Sequence, residues 1–155
     1  MPISTMHTTL NYSPNFDVKK RRVKDVKFLI FHYTGMKKEN QAITRLTDSK
    51  SKVSSHYLIK NNGEILTLVP DLYVAWHAGV SSWKNYKSIN KYSIGVEISN
   101  PGHEYSYKKF SKKQIKSILK LSSYLIKKYK IKSNYILGHS DIASDRKKDI
   151  GEQIA

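Results

Sequence analysis

Three short apolar runs constrain this chain more than any other feature. Val26-Lys27-Phe28-Leu29-Ile30-Phe31 is nearly continuous in apolar residues and has strand length, the pattern of a strand covered on both faces. Tyr92 to Ser99, with Ile94, Val96 and Ile98 alternating, predicts another strand, and Tyr135-Ile136-Leu137 predicts a short one. A sheet of such strands needs helices packed on it, so the class is α/β. A chemically capable side chain stands at or near the end of each run: His32, Glu97 and His139. Side chains so placed can converge on one edge of the sheet.

The remaining segments fill in the order strand, helix, hairpin, strand, long helix, strand. Residues 1–25 are polar and contain proline, and predict an irregular N-terminal arm laid over a domain that spans 26–155. Asn40 to Leu46 predicts a short helix. Val53 to Val69 reads as a hairpin around Asn61-Asn62-Gly63, whose Asn-Gly pair tolerates the positive φ of a tight turn. Ser111-Lys112-Lys113-Gln114 has the pattern of a capping box. Ile115, Ile118, Leu119, Leu125, Ile126 and Tyr129 then recur at helical spacing. These elements predict a central mixed β-sheet flanked by helices.

Composition bounds the chemistry. At 155 residues, with 39% hydrophobic and 11% aromatic residues, the chain suits a single folded domain. It has no cysteine, so disulfides, thiolate metal sites, cysteine nucleophiles and a lipoprotein anchor are not expected. Any metal must therefore take nitrogen and oxygen ligands. No run of apolar residues is long enough to span a membrane, and Met1 to Phe16 lacks the basic start and apolar core of a secretion signal. These absences favour a cytoplasmic location, with the periplasm or cell envelope as the alternative.

The net charge of +16 is spread along the chain, with one dense cluster at Lys19-Lys20-Arg21-Arg22. It is compatible both with holding an anionic substrate and with a merely solvated basic surface. Lys127, Lys128, Lys130 and Lys132 beside Tyr129 form a modest patch that fits the solvated end of an amphipathic helix, so nucleic acid is not the expected partner.

The segment Gly138 to Asp149 places His139, Asp141, Asp145, Lys147 and Asp149 within a dozen positions. Histidine and aspartate are good ligands for Zn²⁺, and a lysine nearby can stabilise an oxyanion. Spacing alone permits Asp141 as a ligand, since in an extended segment it would point to the same side as His139. Taken alone, His32 reads first as a core histidine bonded to backbone. Glu97 is harder to treat so, because a carboxylate in an apolar strand is costly to bury unless paired or functional. His77, in Ala75-Trp76-His77-Ala78-Gly79, could bond a ligand or pack under Trp76.

Phe31-His32-Tyr33-Thr34-Gly35, Val53 to Ile59, Ala75 to Gly79, Ser93-Ile94-Gly95-Val96-Glu97 and Gly138 to Ala143 together resemble the zinc-dependent N-acetylmuramoyl-L-alanine amidases. That family shares its fold with phage lysozyme-like amidases and animal peptidoglycan recognition proteins. The resemblance runs from about Ser13 to Asp149. It implies that His32, His139 and Asp149 bind Zn²⁺, that Glu97 is the general base, and that Lys147 faces the oxyanion. It implies further that Trp76 and His77 line the groove for peptidoglycan or muropeptide fragments, and it leaves Asp141 a structural carboxylate. The implied reaction cuts the amide between the lactyl group of N-acetylmuramic acid and L-alanine. The alternative is a binding module of the same fold that does not cut. This chain has Ser144-Asp145 where the family usually has Pro-Gly, and Asp149-Ile150-Gly151 where it has Asp-Pro-Gly. Related amidases continue with an apolar segment past the position of Ala155, so a shortened C-terminal end is expected.

Overall fold

The computed structural model describes residues 6–78, 82–83, 85–101 and 109–138. Along the chain come Thr9–Leu10 (β1), Phe16–Asp17 (β2), Phe28–Tyr33 (β3), Glu39–Thr47 (α1), Tyr57–Ile59 (β4) and Ile65–Thr67 (β5). Val74–Ala75 (β6), Ser82–Trp83 (β7), Tyr86–Lys87 (β8), Ser93–Ile98 (β9), Lys112–Tyr129 (α2) and Ile136–Gly138 (β10) follow. Six strands share one sheet in the order β1-β5-β4-β9-β3-β10. Strands β4, β9, β3 and β10 run parallel to one another, while β5 pairs antiparallel with β4 and β1 parallel with β5. This is the mixed α/β sheet that the apolar runs predict.

Alternation of side chains across the pleat sorts the sheet into two faces. Leu29 and Phe31 of β3, Tyr57 and Ile59 of β4, and Ile94, Val96 and Ile98 of β9 pack with Ile118, Leu121, Leu125 and Tyr129 of α2. On the opposite face Phe28 and Ile30 pack with Ala78, Ile89 and Leu137, and Leu58 packs with Leu46 of α1 and with Leu66 and Leu68. Covering on both sides explains why β3 reads as a continuous apolar run rather than an alternating one.

Helix α2 begins as its sequence predicts. Ser111 Oγ accepts from the Gln114 N–H at 3.1 Å, and Gln114 Oε1 accepts from the Ser111 N–H at 3.0 Å. Its buried stripe differs from the predicted one: Ile115 is 36% and Leu119 60% exposed, while Leu121 is in the core. The stripe Ile118-Leu121-Leu125-Tyr129 steps by three and four residues, which leaves Ile115 and Leu119 rotated off it. The Tyr129 and Tyr57 hydroxyls both donate to Asp71, at 2.6 and 2.5 Å, tying α2 and β4 to the loop before β6. Burial first and the Asp71 charge beside them push both hydroxyls above the usual tyrosine range.

The hairpin forms with shorter strands than 53–69. Lys60 N–H donates to Glu64 O at 2.9 Å, which leaves Asn61, Asn62 and Gly63 as the loop, and Gly63 alone of the three is left-handed (φ 88°). The N-terminal stretch read as irregular contains two strands of two residues. β1 extends the edge of the sheet and β2 pairs antiparallel with β6. Arg21, from the dense basic cluster, turns inward and donates to the carbonyls of Asp71 and Asn90. Among the described residues, no helix is long and apolar enough to cross a membrane.

Candidate active site

The register of two parallel strands builds the centre of the site. His32 of β3 lies directly beside Glu97 of β9, and Leu58 of β4 flanks Glu97 on the other side. Neighbouring strands lie about 4.8 Å apart, so His32 and Glu97 project from the same face as adjacent side chains. Beyond them the strands are clamped together. Thr34 N–H donates to Ile98 O at 3.0 Å, Thr34 Oγ1 donates to Asn100 O at 3.1 Å, and Asn100 N–H donates back to Thr34 Oγ1 at 3.1 Å. Gly35, at φ 65°, gives its N–H to Asn100 O at 2.9 Å.

His32 is 3% exposed, and its Nε2 lies 2.9 Å from His77 Nδ1. The His77 ring, 8% exposed, reaches with Nε2 to Ser93 Oγ at 2.9 Å, and the Ser93 hydroxyl donates to Ile89 O at 2.8 Å. Gly95 lies under that ring, where a Cβ would stand 2.4 Å from His77 Cγ. Beneath this layer His56 is fully buried and accepts the Gly95 N–H on Nδ1 at 3.1 Å. Its proton is therefore on Nε2, which donates to Tyr73 O at 2.8 Å. Burial first, and the nearby Arg21 cation second, push His56 down to about 3 from 6.5, so it is neutral.

His32, Thr34, Arg45, Trp76, His77 and Glu97 line one pocket of about 100 Å³. Trp76 is half-buried in its wall, and the indole N–H donates to Asp17 Oδ1 at 2.8 Å. The N-terminal β2 therefore holds the indole. Of the residues that the sequence singles out, the structure brings together His32, Glu97, His77 and Trp76. His139, Asp141, Asp145, Lys147 and Asp149 lie outside the described residues. Ser93, Gly95 and Arg45 also have places in the site, although no motif assigns them a role. Ser93 and Gly95 share the face of Glu97, a polar and small alternation within an apolar strand that was available as a signal.

Among the described residues, no three His, Cys, Asp or Glu side chains stand close enough to hold a metal. The donors still suit one such as Zn²⁺. A buried imidazole faces the pocket beside a carboxylate, and β10, which leads to His139, pairs parallel with β3 in the register Gly138 to Phe31. His32 and the chain leaving β10 thus start from neighbouring positions at one end of the sheet.

The chain is similar over most of its length to known proteins. The N-acetylmuramoyl-L-alanine amidase family model matches residues 22–152. N-acetylmuramoyl-L-alanine amidase AmiD of Escherichia coli is 38% identical over 138 residues, covering 81% of this chain and 49% of the relative. This chain thus spans about half the length of that enzyme. The 1,6-anhydro-N-acetylmuramyl-L-alanine amidase AmpD of Haemophilus influenzae is 30% identical over 158 residues, covering 90% of this chain and 83% of the relative. The solved complex of E. coli AmiD with the substrate anhydro-N-acetylmuramic acid-L-Ala-D-gamma-Glu-L-Lys superposes with a TM-score of 0.72 at 36% identity. That match covers 81% of this chain and 52% of that one. The chain belongs to the N-acetylmuramoyl-L-alanine amidase family.

Proposed function

We propose that this chain hydrolyses the amide between the lactyl group of N-acetylmuramic acid and L-alanine in peptidoglycan or its muropeptide fragments. The observation that carries this reading is the pairing of His32 with Glu97 on adjacent strands of one pocket. It gains support from the similarity to AmiD, whose solved complex holds an anhydro-muropeptide as substrate.

His32, with His139 and Asp149, would hold Zn²⁺, three nitrogen and oxygen ligands from a chain that has no cysteine. A bound Zn²⁺ supplies a Lewis acid and brings the pKa of its water down to about 7. Glu97 sits one strand from His32 and takes the proton of the attacking water, then returns one to the leaving amine of L-alanine. Lys147 would stabilise the negative charge that develops on the carbonyl oxygen. Trp76, whose indole N–H is held by Asp17, would line the groove for the substrate. The products are a free lactyl carboxylate on the sugar and a peptide with a free amino terminus.

Rates of peptide release from an anhydro-muropeptide, wild type against Glu97→Gln, test the role of Glu97. The variant keeps the shape of the side chain and loses its basicity, so the rate falls about 10²–10⁴-fold with Zn²⁺ still bound. A variant as fast as wild type removes Glu97 from the chemistry.

A further inference from the structure

The hydrogen bonds around His77 have a direction. Ser93 is fully buried and has one hydroxyl proton, which goes to the Ile89 carbonyl at 2.8 Å. What Ser93 Oγ presents to His77 Nε2 at 2.9 Å is therefore a lone pair, and Nε2 carries a proton. In the neutral form, whose one N–H is then on Nε2, His77 Nδ1 is an acceptor. Its neighbour at 2.9 Å is His32 Nε2, which must then donate. His32 is left with its proton on Nε2 and its lone pair on Nδ1. A backbone carbonyl, which has no second protonation state, anchors the far end of this chain of bonds.

The surroundings hold the His77 ring in that position. Gly95 leaves room for it where any Cβ would meet Cγ at 2.4 Å. The backbone N–H groups of His77 and of Ala78 both donate to Asn90 Oδ1, at 3.2 and 2.9 Å. His56 fixes the Gly95 N–H from the other side.

We propose that His77 and Ser93 are positioning residues that fix the tautomer and ring orientation of His32, and so present Nδ1 of His32 to the metal. This rests on the reading of His32 as a metal ligand. A ligating histidine ordinarily donates its second N–H to a carboxylate, a carbonyl or water, and removing that partner costs about 10–100-fold in metal affinity. Here an imidazole takes that place, with its own tautomer set by Ser93. His77 thus acts on the metal through His32, a role beyond the lining of the groove that the family resemblance implies.

Two measurements test the assignment. Nitrogen NMR of the imidazoles in metal-free wild type should find His32 protonated on Nε2, and a proton on Nδ1 would overturn the relay without any variant being made. Zn²⁺ affinity, from competition with a chromophoric chelator, should fall about 10–100-fold in His77→Leu. Much of it should return in His77→Asn, whose Oδ1 can accept from His32 near the position of the original Nδ1. Leucine and asparagine are close in size, so equal affinities in the two variants would show that only packing matters and would contradict the proposal. His32→Ala separates the underlying reading. Unchanged Zn²⁺ affinity in that variant removes His32 from the metal site, whereas a large loss there beside wild-type affinity in His77→Leu sinks the relay alone.

Discussion

The site depends on residues whose small size or neutrality matters as much as their chemistry. Gly95 is one, because a methyl group there would stand 2.4 Å from the His77 ring. Overpacking of this kind costs about 1–3 kcal/mol. Gly95→Ala is expected to lower stability by that amount in urea titration and to weaken Zn²⁺ binding, and unchanged values for both would show that the ring is free to move. His56 is another. It stays neutral in the fold down to about pH 3, whereas in the unfolded chain it takes a proton below 6.5. Its contribution is thus complete above pH 6.5 and is lost as pH falls from there towards 3. At pH 5 the loss is about 2 kcal/mol. His56→Asn, which keeps an acceptor for the Gly95 N–H but cannot titrate, should lose less stability between pH 7 and 5 than wild type in urea titrations. Equal losses would place the proton elsewhere.

At the level of elements, the sequence shows most clearly what is periodic or local. The apolar runs of β3 and β9, the capping box of α2 and the glycine of the hairpin all appear where the pattern puts them. β1 and β2 were illegible, because two residues are too few to show alternation and their partners lie more than fifty positions away. The partnership of His77 with His32 was hidden for the same reason, since 45 residues separate them. One consequence of β2 is functional: its Asp17 holds the indole of Trp76 at the pocket. Asp17→Ala should raise KM for a muropeptide several-fold with kcat little changed, the mark of lost uniform binding. A fall in kcat with KM unchanged would instead tie the indole to the chemical step.

Across the whole molecule, α2 covers one face of the sheet and leaves the other to α1, the His77 loop and the pocket. The parallel strands β4, β9, β3 and β10 carry Glu97 and His32 to one end of the sheet and send the chain towards His139 from the same end. The net charge of +16 suits an acidic muropeptide, although its densest cluster is partly structural through Arg21. The proposed reaction cuts one bond, between the lactyl carbonyl and L-alanine. Digestion of an anhydro-muropeptide in heavy-oxygen water, followed by mass spectrometry of both fragments, reads that bond directly. Label is expected in the carboxylate of the muramic acid fragment, beside an unlabelled peptide that begins with L-alanine. Label in the peptide, or no cleavage by the zinc-loaded protein, would contradict it.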